Sequence, residues 1–235
     1  MNKTTLTRNQ LQQLTAFIES RGFKEPFVVM EILDHFACKV EEKLENSPNL
    51  TLEDAMHKAH ADFGALGFSP ISSTYYAYLK KKYKSIYNSQ RKKIFTSWFY
   101  MPLLAVIGII IYKAFAWCEI NNYRHLFEIN DVANSCFLLF FVSSAYLRTY
   151  SQDFPKKIDP IKSTILAVDV TLPIGLVFIT PHFNKLSERG IAILGTMYAL
   201  VFVYLCIRHI SLHRTLKIAK KEIEETSNNY NNLVA

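Results

Sequence analysis

The chain has 235 residues, half of them hydrophobic, and a formal net charge of +7. A water-soluble domain of this length is normally less apolar, and the hydrophobic residues here are concentrated in four charge-poor runs between residues 94 and 210. The composition therefore argues against a water-soluble bundle and predicts a small soluble domain joined to a membrane domain. Nucleic-acid binding is not indicated, because residues 1–79 hold 7 basic and 10 acidic residues and the basic excess lies beside the apolar runs.

The first predicted helix covers residues 6–22. Thr7 and Gln10 have the spacing of a capping box, in which each side chain binds the backbone N–H of the other residue. Gly22 follows as a left-handed terminator. The apolar face of this helix consists of Leu11, Leu14, Phe17 and Ile18.

The second predicted helix begins at Pro26, which suits the first helical position, and runs to about Glu45. Its stretch EILDHFACKVEEKLE contains a histidine, a cysteine and several carboxylates, which raises the question of a catalytic or metal site. At about 100° per residue, however, Asp34 and Glu41 point away from the apolar stripe and His35 lies on its flank. A pKa tuned for catalysis needs burial or a close partner, and the pattern indicates neither, so no catalytic residue is predicted. The apolar stripe consists of Val29, Ile32, Leu33, Phe36, Val40 and Leu44.

The third predicted helix covers residues 50–64, with a cap formed by Thr51 and Asp54 and an end at Gly64. Its apolar stripe is Leu52, Ala55, Met56, Ala59 and Phe63. His57 and His60 could in principle share a metal with Asp34 or His35. His57 points away from the stripe and His60 lies only at its edge, so solvated helix surface is the favoured interpretation and no metal or cofactor site is predicted. The residues predicted to form a face for a protein partner are Asp34, His35, Glu41 and Asp54.

The pattern from EILDHF to HADFGALGF resembles the head of a family of bacterial four-span membrane proteins of uncharacterised function. It is also similar in layout to HAAS-type domains, which are small cytoplasmic helical modules placed before membrane helices. The Asp34–His35 pair and the Phe63-Gly64 and Gly67-Phe68 pairs carry the resemblance, which covers about residues 6–90. It implies a helical head, a membrane tail and a regulatory or signalling role, and it implies no catalytic residues.

Residues 70–94 are predicted to form a helical neck that enters the membrane. The segment contains seven basic residues and no acidic one, which suits contact with anionic lipid headgroups. The alternative is that these charges only set the topology. The predicted headgroup contacts are Lys80, Lys81, Lys82, Lys84, Arg91, Lys92 and Lys93.

A four-helix transmembrane bundle is predicted for residues 95–210, because each apolar run approaches the roughly 17–25 residues that cross a bilayer. The spans are predicted at about residues 95–117, 131–149, 162–182 and 189–208. Sixteen basic residues near the membrane fall on one side and three on the other. The positive-inside rule therefore predicts that both termini lie on the cytoplasmic side of a bacterial inner membrane.

Asp169 is the one acidic residue in the interior of a predicted span. Burying a charge near the membrane centre is costly, which makes an intramembrane carboxylate a candidate functional group. A proton relay, an ion relay or a ligand contact is one interpretation, and a hydrogen bond that holds the bundle together is the favoured one.

Residues 211–235 are predicted to be a cytoplasmic tail. Leu212, Leu216, Ala219 and Ile223 have helical spacing and predict an amphipathic helix, whereas the terminal NNYNNLVA has no pattern and is expected to be disordered. The four cysteines have no CxxC spacing, so neither a disulfide framework nor a zinc site is expected.

These features predict an all-α protein with a cytoplasmic domain of three to four helices (residues 1–69), the neck, the bundle and the tail. The favoured function is a non-enzymatic adaptor or regulatory component that contacts the lipid bilayer and binds a protein partner through its head. A homo-oligomer is possible on this interpretation. One alternative is a transporter or membrane enzyme centred on Asp169, and another is an accessory subunit of a larger membrane complex.

Overall fold

The structure is a computed structural model that describes residues 5–47, 49–120 and 188–234, together with Ala145. Its described residues form helices and connecting turns and contain no strand, which confirms the predicted all-α class. The chain divides into two compact units, Met1–Lys82 with Ile218–Ala235 and Tyr83–Lys217. The described helices are α1 (Arg8–Ser20), α2 (Pro26–Asn46), α3 (Leu52–Ala61), α4 (Ser69–Phe95), α5 (Tyr100–Ile120) and α6 (Glu188–Val234).

The predicted starts of the first three helices and the glycine that ends the first are confirmed, whereas α3 ends at Ala61 and not at Gly64. The backbone N–H of Thr7 donates to Gln10 Oε1 at 2.8 Å, and Thr7 Oγ1 accepts from the backbone N–H of Gln10 at 3.4 Å, so the capping box is complete. Gly22 follows α1 with a φ of +93°, a conformation that costs glycine little because it lacks a Cβ. Pro26 begins α2. Thr51 caps α3 by accepting from the backbone N–H of Asp54 at 3.2 Å.

The core of the first unit lies around α2, which packs against α1 and α3. Phe36 is fully buried at its centre, with its ring centroid 5.5 Å from that of Phe17 and 5.1 Å from that of Phe68. The predicted stripe of α2 is buried from Val29 to Val40. The helix also buries Phe27 and Val28, which the stripe did not include, and the Phe27 ring packs near the tyrosine rings of α4.

The turns after α3 explain the glycines of the FGALGF stretch. Gly64 and Gly67 have φ values of +72° and +51°, in the left-handed region that favours glycine. A Cβ on Gly67 would lie only 3.1 Å from His60 Nε2, so a side chain here would also force the His60 ring to shift slightly. The two turns direct Phe68 inward, where it is 1% exposed and packs against the Phe36, Phe63 and His60 rings.

The expectation of a disordered C-terminus is wrong, because α6 continues to Val234. The Tyr230 side chain is buried, and its hydroxyl donates to the Glu19 carboxylate of α1. Arg8 Nη2 donates to the Asn232 carbonyl at 2.5 Å, and Gln12 Nε2 donates to the Leu233 carbonyl at 2.9 Å. The last carbonyls of a helix have no partner within it, and here side chains of α1 supply the missing donors.

The second unit includes the end of α4, α5 and the first part of α6. Ile94, Leu104 and Ile207 form a small buried cluster, which Tyr100 and Val203 extend. Residues 96–99 separate α4 from α5, so Phe95 belongs to the neck helix and not to the predicted first span. The helix predicted for residues 189–208 lies within α6, which continues without a break into the tail.

A test of length and apolarity for membrane spans finds no single qualifying helix within the described residues. The pair formed by α4 and Tyr100–Ile110, bent by 73°, passes the test together. The spans predicted at residues 131–149 and 162–182 lie outside the described residues, apart from the helical Ala145, and so does Asp169.

Candidate interaction site

An open groove of about 660 Å³ lies between α2 and the first turns of α4 in the first unit. Glu31 and His35, one turn apart on α2, line one side. The residues of α4 that line the other side have the 3–4 spacing of one helix face. They are Pro70, Ile71, Thr74, Tyr75 and Tyr78. We refer to this feature as the α2–α4 groove.

The polar part of the groove is a carboxylate beside an imidazole. Glu31 Oε1 lies 3.5 Å from His35 Nε2, and the two side chains are 37% and 54% exposed. Two groups this exposed interact weakly with each other, because water screens the pair. The Glu31 carboxylate therefore stays available to a ligand that enters the groove.

The aromatic part of the groove consists of Tyr75 and Tyr78, whose rings stack with centroids 6.1 Å apart and an interplanar angle of 21°. Tyr78 is 54% exposed, whereas Tyr75 is half-buried near the Phe27 ring. Burial raises the pKa of the Tyr75 phenol, and the negative charges of Glu31 and Glu222 raise it further. The phenol is therefore neutral at neutral pH, and it presents a π face and a hydroxyl to the groove.

A carboxylate beside exposed aromatic rings is suited to an ammonium or a guanidinium group. The faces of aromatic rings attract cations by their quadrupole, with energies of about 0.5–1 kcal/mol at exposed sites. The protein itself provides an example of this contact, because Lys82 Nζ lies 5.9 Å from the centroid of the Tyr78 ring. That lysine also forms an ion pair with Glu222 of α6. The groove therefore has the chemistry to bind a further basic side chain.

The four residues of the predicted partner face differ in their surroundings. Asp34 and His35 are exposed on α2, and His35 lines the groove. Glu41 is half-buried, and its Oε1 accepts from the backbone N–H of Leu6 at 3.2 Å, so it holds the chain that enters α1. Asp54 Oδ2 accepts from the Thr51 hydroxyl at 2.7 Å and supports the cap of α3.

Sequence reasoning missed Glu31 as a groove residue, and it missed Tyr75 and Tyr78 entirely as candidate contacts. Their signal is the aromatic cluster TYYAY, which stands directly before the basic part of α4. The pattern places these tyrosines on a helix but does not indicate which helix lies opposite. The groove exists only because α2 packs beside α4.

The predicted headgroup residues lie on α4 and are mostly exposed. Lys82 is the exception, because it is 30% exposed and paired with Glu222. The residues with exposed side chains are Lys80, Lys81, Lys84, Arg91, Lys92 and Lys93.

His57 is exposed and His60 half-buried at the edge of the α3 stripe, as predicted. Both rings pack edge-on against Phe17, with centroids 5.5 Å away. Burial lowers the pKa of His60, and the positive charge of Arg21 lowers it further. In the part of the chain that the structure describes, no three His, Cys, Asp or Glu side chains are grouped so that they could hold a metal ion.

A comparison of the chain with known protein families, with curated proteins and with solved structures finds no match in any of the three.

Proposed function

We propose that this protein is a non-enzymatic membrane adaptor whose helical head binds a basic segment of a protein partner. The single observation that carries the proposal is the α2–α4 groove, in which the Glu31 carboxylate lies beside the stacked Tyr75 and Tyr78 rings. A lysine or arginine of the partner would place its cation between the carboxylate and the rings. The polar groups of the groove are exposed, which suits binding better than acid–base chemistry.

The membrane part of the proposal is supported by the sequence. Four charge-poor runs lie between residues 94 and 210. Sixteen of the basic residues near these runs fall on one side of the predicted membrane and three on the other. This pattern supports a location of the head, the neck and the tail on the cytoplasmic side of a bacterial inner membrane. The resemblance of residues 6–90 to HAAS-type heads agrees with a regulatory or signalling role.

The test is to purify the full chain from native membranes in a gentle detergent and to quantify the proteins that copurify. Glu31→Lys reverses the charge of the groove, and Tyr78→Ala removes its exposed ring. We expect the amount of copurified partner to fall at least about tenfold in each variant. This change corresponds to a loss of about 1.4 kcal/mol of binding free energy. Glu42→Lys is the matched control, because Glu42 is exposed on the same helix but does not line the groove.

The outcomes separate the groove from the rest of the head. Equal loss in Glu31→Lys and Glu42→Lys would mean that general charge, and not the groove, binds the partner. Unchanged retention in both groove variants would remove the α2–α4 groove as the interface. Asp34→Lys then tests the exposed residue that remains from the predicted face.

A transporter or membrane enzyme centred on Asp169 is the alternative from sequence, and it rests on a residue outside the described part of the chain. Asp169→Asn tests it directly. A normal cellular phenotype with normal membrane insertion would remove this alternative.

A further inference from the structure

The bend between α4 and α5 brings together three kinds of side chain in a fixed order along the chain. The last turns of α4 carry Arg91, Lys92 and Lys93, all exposed. The next large hydrophobic side chains that are exposed are aromatic, and α5 then continues with exposed apolar residues, beginning at Met101 and Leu103. We refer to residues 91–100 as the α4–α5 corner.

The aromatic side chains of the corner are unusually exposed for their size. Trp98 is 93% exposed and Phe99 is 68% exposed, and Phe95 at the end of α4 is 50% exposed. Large apolar groups that stand together on a surface mark a contact with another apolar phase or with a partner. Trp in particular is enriched at the membrane–water interface, where an apolar ring and an N–H donor are both accommodated.

The corner is held in shape by its own contacts and by a buried side. Ser97 Oγ accepts from the backbone N–H groups of Phe99 and Tyr100, at 3.3 Å each, and so caps the start of α5. Ile94 is fully buried with Leu104 and Ile207. The exposure of Trp98 and Phe99 therefore belongs to a built turn, one side of which is packed and the other side open.

A further cation, on α6, contacts the corner. Arg214 Nη2 donates to the Tyr100 hydroxyl at 2.7 Å, and its guanidinium lies 5.0 Å from the centroid of the same ring. Arg91, Lys92 and Lys93 precede the aromatic residues in the chain, so the corner and this arginine together carry four positive charges. No acidic residue occurs in α4 or between residues 96 and 99 to compensate for them.

The order of basic, aromatic and aliphatic side chains matches the order of headgroup, interface and hydrocarbon across one leaflet. The bend of 73° between α4 and Tyr100–Ile110 fits this order. Transmembrane helices tilt about 20° from the bilayer normal on average, so a helix bent by this angle from α5 runs close to the membrane surface. The basic side chains at its end, Arg91, Lys92 and Lys93, would then lie at the level of the lipid phosphates around Trp98.

We propose that the α4–α5 corner is a binding site for anionic lipids, with Arg91, Lys92 and Lys93 on the headgroup phosphates and Trp98 and Phe99 at the boundary of the acyl chains. The proposal rests on the membrane placement in the proposed function, but it is independent of the α2–α4 groove. It differs from a topology signal, because it requires preferential contact with anionic lipid in the folded protein.

Trp98 can report this contact, because the chain has only two tryptophans and Trp117→Phe leaves Trp98 as the single one. The full chain is reconstituted into phosphatidylcholine bilayers that contain a minority of brominated phosphatidylglycerol or, in a parallel sample, the same fraction of brominated phosphatidylcholine. Bromine quenches a tryptophan only on close contact. We expect the relative affinity of the site at Trp98, measured by quenching, to be at least about fivefold higher for brominated phosphatidylglycerol than for brominated phosphatidylcholine. One basic residue near an anionic surface is enough to produce this ratio.

The variant Arg91→Gln/Lys92→Gln/Lys93→Gln should abolish this preference while Trp98 is still quenched. The matched control is Lys80→Gln/Lys81→Gln/Lys84→Gln, which removes three exposed charges from the same helix away from the corner and should keep the preference. Equal quenching by the two lipids would overturn the proposal, and so would a preference that survives the corner variant. If neither lipid quenches Trp98, the corner is not in the bilayer, and the membrane placement of this segment fails along with the proposal.

Discussion

The two units place the same kinds of side chain in opposite surroundings. In the first unit, Ile18, Ile32 and Phe36 are fully buried, and the apolar stripes of α1–α3 face one another. In the second unit, Ile110 of α5 and Leu200 of α6 are 62% and 65% exposed. The head is therefore stabilised by its own core. The outward faces of α5 and of the first part of α6 instead leave large apolar side chains exposed, which suits contact with an apolar environment.

Charge also divides the chain, at residue 80, close to the end of the first segment of the first unit at Lys82. The head segment, residues 1–79, has three more acidic than basic residues, whereas residues 80–93 hold seven basic residues and no acidic one. The head exposes carboxylates such as Glu31 and Asp34, which suit a basic partner. The corner of the second unit exposes cations beside aromatic rings, which suit an anionic surface. The two proposals therefore assign ligands of opposite charge to the two units.

The largest expected effect tests the core of the head. Phe36→Ala removes a fully buried ring that contacts Phe17 and Phe68, and it should lower the free energy of unfolding of the head by about 3–5 kcal/mol. Hydrogen exchange of the amides of α1–α3 in the full chain measures this loss. The contrasting variant is Ile109→Ala on α5, whose side chain is 58% exposed. A loss of the same size for Ile109→Ala would contradict the difference between the units.

The next effect concerns the C-terminal end of α6. Tyr230→Phe removes the hydroxyl that donates to the Glu19 carboxylate and should destabilise the contact of this end with α1 by about 1.5–3 kcal/mol, the usual range for a hydrogen bond to a charged group. Faster exchange of amides near residue 230, with slow exchange retained in α2, is the expected pattern. Asn231→Ala serves as the control because Asn231 is exposed, and equal acceleration in both variants would refute the role of the hydroxyl.

A pair of glycines should respond with opposite signs. Gly67→Ala places a Cβ at a φ of +51° and 3.1 Å from His60 Nε2, which should cost the head about 1–2 kcal/mol. Gly108→Ala in α5 meets only Val203 Cγ2 at an ordinary 3.6 Å, and it should stabilise that helix by up to about 1 kcal/mol, because alanine loses less conformational entropy than glycine. Local exchange in each unit measures both changes, and stabilisation by Gly67→Ala would show that the turn is not constrained as described.

The smallest expected effect is a pH dependence of the head. Burial and the nearby Arg21 lower the pKa of His60 below its usual 6.5. The unfolded chain then binds a proton more readily than the folded one, so stability falls as the pH decreases from 6.5 through the lowered pKa. Urea titrations at pH 7 and pH 5, followed by exchange in α1–α3, should show the decrease. His60→Gln should flatten the slope between these two pH values, and a slope unchanged by this variant would assign it to other groups.

The elements that sequence predicted best depend on contacts close together in the chain. The Thr7–Gln10 box, Gly22, Pro26 and the Thr51 cap each act within a few residues, and all four appear at the predicted positions. The apolar stripe of α2 follows from helical periodicity and is buried as expected.

The errors and omissions arise where distant segments meet. The end of α6 has no pattern of its own, and it is helical because Tyr230, Asn232 and Leu233 bond to side chains of α1. Glu41 looks like a surface carboxylate in a helical projection, yet it accepts from the backbone of Leu6, 35 residues away. The tyrosines of α4 likewise become part of a groove only beside α2.

The sequence by itself determined the helical class, the caps and stripes of the first three helices, and the division between an acidic head and a basic, apolar remainder. It could do so because capping, periodicity and charge are properties of neighbouring residues. The tertiary structure alone decided which polar residues stay available: it engaged Glu41 with the backbone of Leu6, opened the groove around Glu31 and Tyr78, and brought the C-terminal end of α6 to α1. Those outcomes depend on which helix faces meet, and the free energy of that packing comes from pairs of residues far apart in the chain.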